Sequence, residues 1–403
     1  MSSITKTNYN YEYQPPKNLK QPTRPSFFKI IMEPLRKSMG KSIGKKLGHI
    51  NLNKSEKKAL KINKDNFIQN AKNHAESISL SMLGKKGKST HALDGISIHS
   101  NSEKNNKYIL VFFGMGDCYE KHLDSLKKLS LDTGATVVSF NYRGINESTG
   151  QANSAKDYIS DGSAFVDYLI NEKGAQSENV LLYGHSLGGG VAAQVRKELK
   201  LDSPIISESS FSTFKEAVKR KKGKTTAWLF KKTGWNMNSF KALETVEENK
   251  LGIVVNRRDP LVNYTKSSLY IELKSNNKEK NLKLIKIGKN PSKDQDEKAY
   301  LQTMNQIKRA GWVKHLRHPH QLVMDQPHKR SAITIPTAIQ EELDQLDNTS
   351  IEYNTKLALA NELVELNKKF AKEDKKAYQG ILKMIEDMLN NKDTSAVIDT
   401  NEP

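Results

Sequence analysis

The segment Val180-Leu-Leu-Tyr-Gly184-His185-Ser186-Leu187-Gly188-Gly189 constrains this chain more than any other. It begins as a short apolar run of the kind that forms a buried strand. It ends in Gly-x-Ser-x-Gly and continues into Val191-Ala-Ala-Gln-Val-Arg-Lys-Glu-Leu199, whose residues suit a helix. A strand that turns directly into a helix through such a pentapeptide carries its serine on a sharp corner, hydroxyl outward. Gly184 and Gly188 flank that corner because a Cβ at either position would crowd the crossing of strand and helix.

The same rhythm repeats on both sides. Gly95-Ile-Ser-Ile-His99 alternates as a strand, and Lys107 to Phe113 and Ala135 to Tyr142 read as further strands. Helical stretches, Leu123 to Leu131 and Ala155 to Ile170, separate them. Pro204 to Glu208, Leu251 to Val255 and Leu282 to Gly288 supply three more strands. Apolar strands spaced by helices predict an α/β class with a mostly parallel central sheet flanked by helices. Between Phe211 and Asn249 a basic stretch bearing Trp228, Phe230 and Trp235 interrupts the series and reads as a cap-like insertion.

The two ends differ from this middle. Residues 1–25, with Pro15, Pro16, Pro22 and Pro25, read as a flexible tail, and 26–90 as a basic, helical N-terminal region. Within it Phe27, Phe28, Ile30, Ile31, Leu35, Met39, Ile43 and Leu47 recur against Lys37, Lys41, Lys45 and Lys46. Such a stripe either lies in an anionic membrane interface or packs on the domain, and Gly40 and Gly44 weaken it as an isolated helix. Residues 54–83 again look helical. The strand-and-helix middle then spans 91–332, residues 333–392 form a pair or trio of C-terminal helices, and 393–403 fray.

Charge follows this division. The 403 residues carry a formal +20, and residues 1–90 hold 19 Lys/Arg against 5 Asp/Glu. A basic arm suits acidic lipid or nucleic acid, or simply solvates the chain; no nucleic-acid recognition module accompanies it. The single cysteine, Cys118, excludes an internal disulfide and a cysteine-built zinc site. Apolar residues make up 36% and the mean hydropathy is -0.68, so part of the chain lies outside a compact core. No stretch reaches the roughly 18 apolar residues of a membrane span. The polar N-terminus lacks a Sec-type signal, which predicts a reducing cytoplasm or export by another route.

A serine needs a base, and the base a third group that holds its tautomer. On a corner of this kind the acid and then the histidine follow the serine, each beyond a strand end. Asp259, in the loop after Leu251 to Val255, is the expected acid, with Asp296 and Glu297 as alternatives. As a structural residue it would instead pair with Arg257 or Arg258. His320 is the expected base because Gln-Leu-Val-Met after it can anchor it to the core. His318, beside Pro319, is the alternative, and His315 a further one. No Glu-x-x-His frame accompanies these histidines, so no metal is expected, and no cofactor. His185 reads as a packing residue, since neighbours on a sharp turn point apart. The oxyanion donors are expected to be the backbone N–H of Leu187 and of Met115, the latter in the loop Phe113-Gly-Met-Gly-Asp-Cys-Tyr119. Asp117 either fixes that loop or caps the next helix.

Together these residues resemble the α/β-hydrolase superfamily over about 92–330. The resemblance rests on Gly184-His-Ser-Leu-Gly188, Phe113-Gly-Met-Gly116, Asp259, Phe140-Asn-Tyr-Arg-Gly144 with Ser148-Thr-Gly150, and Ser207-Glu-Ser-Ser-Phe-Ser-Thr-Phe214. The usual Gly-His ending of the final strand is missing. Phe-Gly-Met-Gly-Asp-Cys-Tyr-Glu, 113–120, is similar to a turn in a chlamydial-type family of hydrolase-like proteins, itself similar to lipase-like secreted effectors of bacteria such as Legionella. The resemblance implies an α/β-hydrolase fold with N- and C-terminal helical extensions, and a serine esterase acting on a small-molecule or lipid ester. It also implies injection into a host cell, with Glu373, Glu386 and Asp387 in part of an export signal. The competing expectation is a catalytically weak effector that binds host protein or anionic membrane through its basic surface.

Overall fold

The computed structural model describes residues 8–13, 38–48, 52–70, 72, 74–83, 89–100, 106–259, 261–276, 282–288, 295–312, 320, 322–325, 334–390 and 397–400. The apolar runs become strands β1 (Asn8–Tyr13), β2 (Ala75–Leu83), β3 (Ser89–Ile98), β4 (Tyr108–Phe112), β5 (Thr136–Phe140), β6 (Val180–His185), β7 (Ile205–Glu208), β8 (Leu251–Asn256), β9 (Lys283–Ile287) and β10 (Val397–Asp399). They hydrogen-bond into one sheet in the order β1-β2-β3-β5-β4-β6-β7-β8-β9-β10. Among the described strands β3 alone runs against its neighbours, β2 and β5; all other pairs are parallel. A mostly parallel, helix-flanked sheet with one reversed strand and a crossover at β4 and β5 is the α/β-hydrolase fold.

Helices cover both faces, as buried parallel strands require. On one face α4 (Ala155–Asp167) and α5 (Leu187–Glu198) pack with Phe112, Phe140, Leu182 and Ile205. On the other, α3 (Leu123–Thr133) and the end of the long helix α11 (Ile351–Leu389) cover Val111, Val137, Tyr183 and Ile285. A third cluster joins α9 (Gln295–Arg309), α10 (Thr337–Leu343) and α11 around Ile307, Trp312, Leu343 and Leu363. The C-terminal extension is therefore a pair of helices, and Glu373 and Asp387 are buried in it. Glu373 binds Arg258 at 2.6 Å, so this carboxylate stabilises the fold rather than standing in an exposed signal.

Three segments differ from expectation. Helix α2 (Lys54–Gln69) stops well before Leu83, and β2 follows, paired along its length with β3. Ala75-Glu-Ser-Ile-Ser-Leu-Ser-Met-Leu alternates with period two, burying Ile78, Leu80 and Met82; that period decides for a strand. Asn-Tyr-Asn-Tyr-Glu-Tyr, 8–13, lies in the expected tail yet pairs with β2, and Val-Ile-Asp, 397–399, lies in the expected fray yet pairs with β9. Alternating tyrosines and β-branched residues favour strands where an open sheet edge is available.

Helix α1, residues 38–47, packs on the domain. A Cβ on Gly40 would lie 2.3 Å from the Asn153 carbonyl oxygen, and one on Gly44 2.0 Å from that of Ala152. The glycines that weaken the helix in isolation are what let it dock this closely. Trp235 Nε1 donates to the Gly40 carbonyl at 2.9 Å, while Lys41, Lys45 and Lys46 stay exposed.

Candidate active site

Strand β6 enters the core fully buried and α5 leaves at once, so Ser186 is the whole turn between them. Its φ of 53° and ψ of -117° are strained for an L-residue, and the glycines around it make that conformation packable. A Cβ on Gly184 would fall 2.5 Å from Gly189 Cα, and one on Gly188 2.1 Å from the Phe112 carbonyl oxygen. The Ser186 N–H donates to the Glu208 carbonyl at 2.9 Å, which locks the corner to β7.

His320 Nε2 lies 2.7 Å from Ser186 Oγ, and its Nδ1 lies 2.5 Å from Asp259 Oδ2. Asp259 follows β8 and is 3% exposed. Its other oxygen accepts from the N–H groups of Leu261 at 2.8 Å and Val262 at 2.9 Å, so the carboxylate is aimed. The neighbouring arginines do not compete for it: Arg257 binds Asp399 at 2.6 Å and Arg258 binds Glu373. Among the expected alternatives, Asp296 and Glu297 lie on α9. His315 and His318 fall outside the described residues.

The loop after β4, residues 113–119, reaches the serine because Gly114 has no side chain; a Cβ there would lie 3.3 Å from Ser186 Cβ and 3.2 Å from His185 Nδ1. Leu187, the first residue of α5, and Met115 thus sit on the two backbone segments beside Ser186. The Gly116 N–H donates to the Leu47 carbonyl at 3.1 Å, so the end of α1 braces the loop from outside. Cys118 is fully buried, and burial pushes its thiol up to about 12, which leaves it protonated and unreactive.

Three buried side chains brace the segments around Ser186 and His320. His185 Nε2 donates to the His320 carbonyl at 2.9 Å; burial, and then the neighbouring His320, push its pKa down to about 4, so it stays neutral. Glu208 accepts the Val323 N–H at 2.7 Å and the Tyr183 hydroxyl. His122 bridges two segments, with Nε2 2.9 Å from Asp117 of the 113–119 loop and Nδ1 2.6 Å from Asp325, shortly after His320. Burial opposes its charge, but the two carboxylates prevail and push its pKa up to about 9. Asp117 also accepts the Cys118 N–H at 2.9 Å, so it fixes the loop. None of these three supports was singled out from sequence for this work. The closeness of Asp117 and His122 in the chain is the one signal that could have found such a bond.

The family described as "Chlamydia CHLPS protein (DUF818)" matches residues 43–262. Among curated proteins, the multifunctional-autoprocessing repeats-in-toxin of Vibrio cholerae is 26% identical over 144 residues, 35% of this chain and 3% of the toxin. The toxin of the same description from Vibrio vulnificus is 27% identical over 144 residues, again 3% of its length. The chain thus spans a small fraction of these relatives. Among solved structures, an alpha-beta hydrolase from Vibrio vulnificus is similar at 17% identity over 72% of this chain and 98% of that one, with a TM-score of 0.46.

Proposed function

The chain belongs to the Chlamydia CHLPS protein (DUF818) family, and on that premise we propose that it is a serine hydrolase cleaving carboxylic esters or thioesters through an acyl-enzyme on Ser186. The observation that carries this reading is the continuous chain of contacts from Ser186 Oγ through His320 to Asp259, at 2.7 and 2.5 Å. His320 Nε2 takes the serine proton as Oγ attacks the acyl carbon, and returns it to the leaving alkoxide or thiolate. It then deprotonates the water that releases the acid. Asp259 holds Nδ1–H and stabilises the imidazolium. Backbone N–H groups of Leu187 and Met115 receive the oxyanion.

The competing reading, an idle scaffold, calls for a histidine far from the serine; 2.7 Å favours chemistry instead. The basic cap and α1 support an acyl lipid as substrate, and the partial match to Vibrio toxins supports action outside the producing cell. Among the described residues no helix is long and apolar enough to cross a membrane. Hydrolysis of a chain-length series of p-nitrophenyl esters tests the reading. The wild type turns over and Ser186→Ala does not; turnover by Ser186→Ala at the wild-type rate overturns it.

A further inference from the structure

The cap helix α6 (Phe214–Lys232) carries eight Lys/Arg and one Glu. Glu216, in its first turn, is occupied by Lys219 at 3.0 Å. Gly223, with φ 85°, kinks the helix, and beyond the kink no carboxylate follows to its end. Arg220, Lys222, Lys224, Lys231 and Lys232 are exposed on this helix, as is Trp228 at 53%, with Lys232 Nζ 5.7 Å from its ring. The inner face of the helix is already satisfied, since Phe214, Val218 and Ala227 are buried in the core. Trp228 is therefore not needed to hold the cap down.

The adjoining element repeats the pattern. Helix α1 meets the end of the cap at Gly40, whose Cβ would come 3.3 Å from the Thr233 carbonyl oxygen. It contains Lys41, Lys45 and Lys46, all exposed, and no acidic residue. Two touching elements thus present cations that, apart from Lys215 and Lys219 at Glu216, have no carboxylate partner among the described residues, with one large exposed aromatic on the same helix. An exposed tryptophan on a lysine-rich helix suits the headgroup level of a bilayer, where the indole enters the interface and the ammonium groups meet anionic phosphates.

We propose that the outer face of α6, together with the lysines of α1, docks the protein on an anionic lipid bilayer. This deepens the hydrolase reading by naming where lipid is met, but the binding itself does not depend on that reading. The same α1 braces the oxyanion loop through Leu47, so the docking face and the reaction site share one support.

The experiment uses the full chain carrying Ser186→Ala, so that binding is read without turnover. It is mixed with vesicles of phosphatidylcholine alone, or of phosphatidylcholine with phosphatidylserine. The chain has three tryptophans, and Trp235 and Trp312 are buried, so a shift in emission reports Trp228. The expected result is co-sedimentation and a blue shift with phosphatidylserine only, both reversed by salt. Lys224→Gln/Lys231→Gln/Lys232→Gln weakens partitioning by about tenfold or more, and Trp228→Phe removes the emission change. No binding to phosphatidylserine vesicles, equal binding to phosphatidylcholine alone, or preference for duplex DNA over vesicles overturns the proposal. Hydrolysis of a soluble ester by the same lysine variant in the wild-type background stays unchanged. Loss of docking with retained ester turnover, or the reverse, separates failure of this inference from failure of the hydrolase reading.

Discussion

Replacing His122 with leucine tests how far the site depends on a residue that touches none of the reacting atoms. His122 is 4% exposed, stacks on Phe113 and joins Asp117 to Asp325. Lys121 is a second cation near this group, 4.0 Å from Asp117. The pKa rises from 6.5 in a free imidazole to about 9 here, which at about 1.4 kcal/mol per pH unit amounts to about 3 kcal/mol of stabilisation. Because the folded value is the higher one, that stability is complete below about pH 6.5 and is lost as the pH rises through about 9. Leucine removes it and leaves the buried Asp325 and the partly buried Asp117 without their imidazolium, at a cost of about 3 kcal/mol or more. Urea unfolding at pH 7 and pH 10 reads both effects. The wild type loses about 3 kcal/mol between the two pH values beyond what His122→Leu loses, and the variant starts lower at pH 7. In ester hydrolysis the variant's loosened oxyanion loop lowers kcat by about 10–100-fold with little change in KM. A variant with wild-type pH dependence of stability and wild-type kcat refutes the reasoning.

Further outcomes follow from the same geometry. Asp259→Asn keeps the shape of the carboxylate but presents an amide to His320, and kcat falls by about 10⁴-fold with ester binding retained; steady-state kinetics on a soluble ester reads it. Gly44→Ala puts a methyl 2.0 Å from the Ala152 carbonyl oxygen, so α1 undocks, and limited proteolysis cleaves between α1 and α2 faster than in the wild type. Cys118, pushed up to about 12 by burial, resists iodoacetamide at neutral pH in the folded protein and reacts only after denaturation, as intact mass spectrometry would show.

Much of the fold could be read because parallel strands buried on both faces leave continuous apolar runs, as at Tyr108–Phe112 and Val180–His185. The edges were harder. β2 pairs beside a polar, lysine-rich region, and its short period-two pattern was outweighed by the helical residues just before it. β1 and β10 exist through pairing with strands far away in sequence, which no local pattern announces. At the site, Ser186 and Asp259 stand at strand ends and so declare their positions. His320 lies beyond α9 in the chain, and the sequence Val-Lys-His-Leu-Arg-His-Pro before it offers no apolar run of the kind that announces Ser186 and Asp259, which is why sequence left several histidines open. The supports at His122, His185 and Glu208 depend on side chains meeting across the sheet top, a relation that exists only after folding.

The central claim is that Ser186 is an activated nucleophile. Its most direct measurement is the site and rate of labelling by a fluorophosphonate, followed by peptide mass spectrometry of the wild type, Ser186→Ala and His320→Gln. The account predicts one adduct per chain on the peptide containing Ser186, none on Ser186→Ala, and labelling slowed by about 10³-fold or more in His320→Gln. An adduct on another residue, or equal labelling of the wild type and Ser186→Ala, would contradict it.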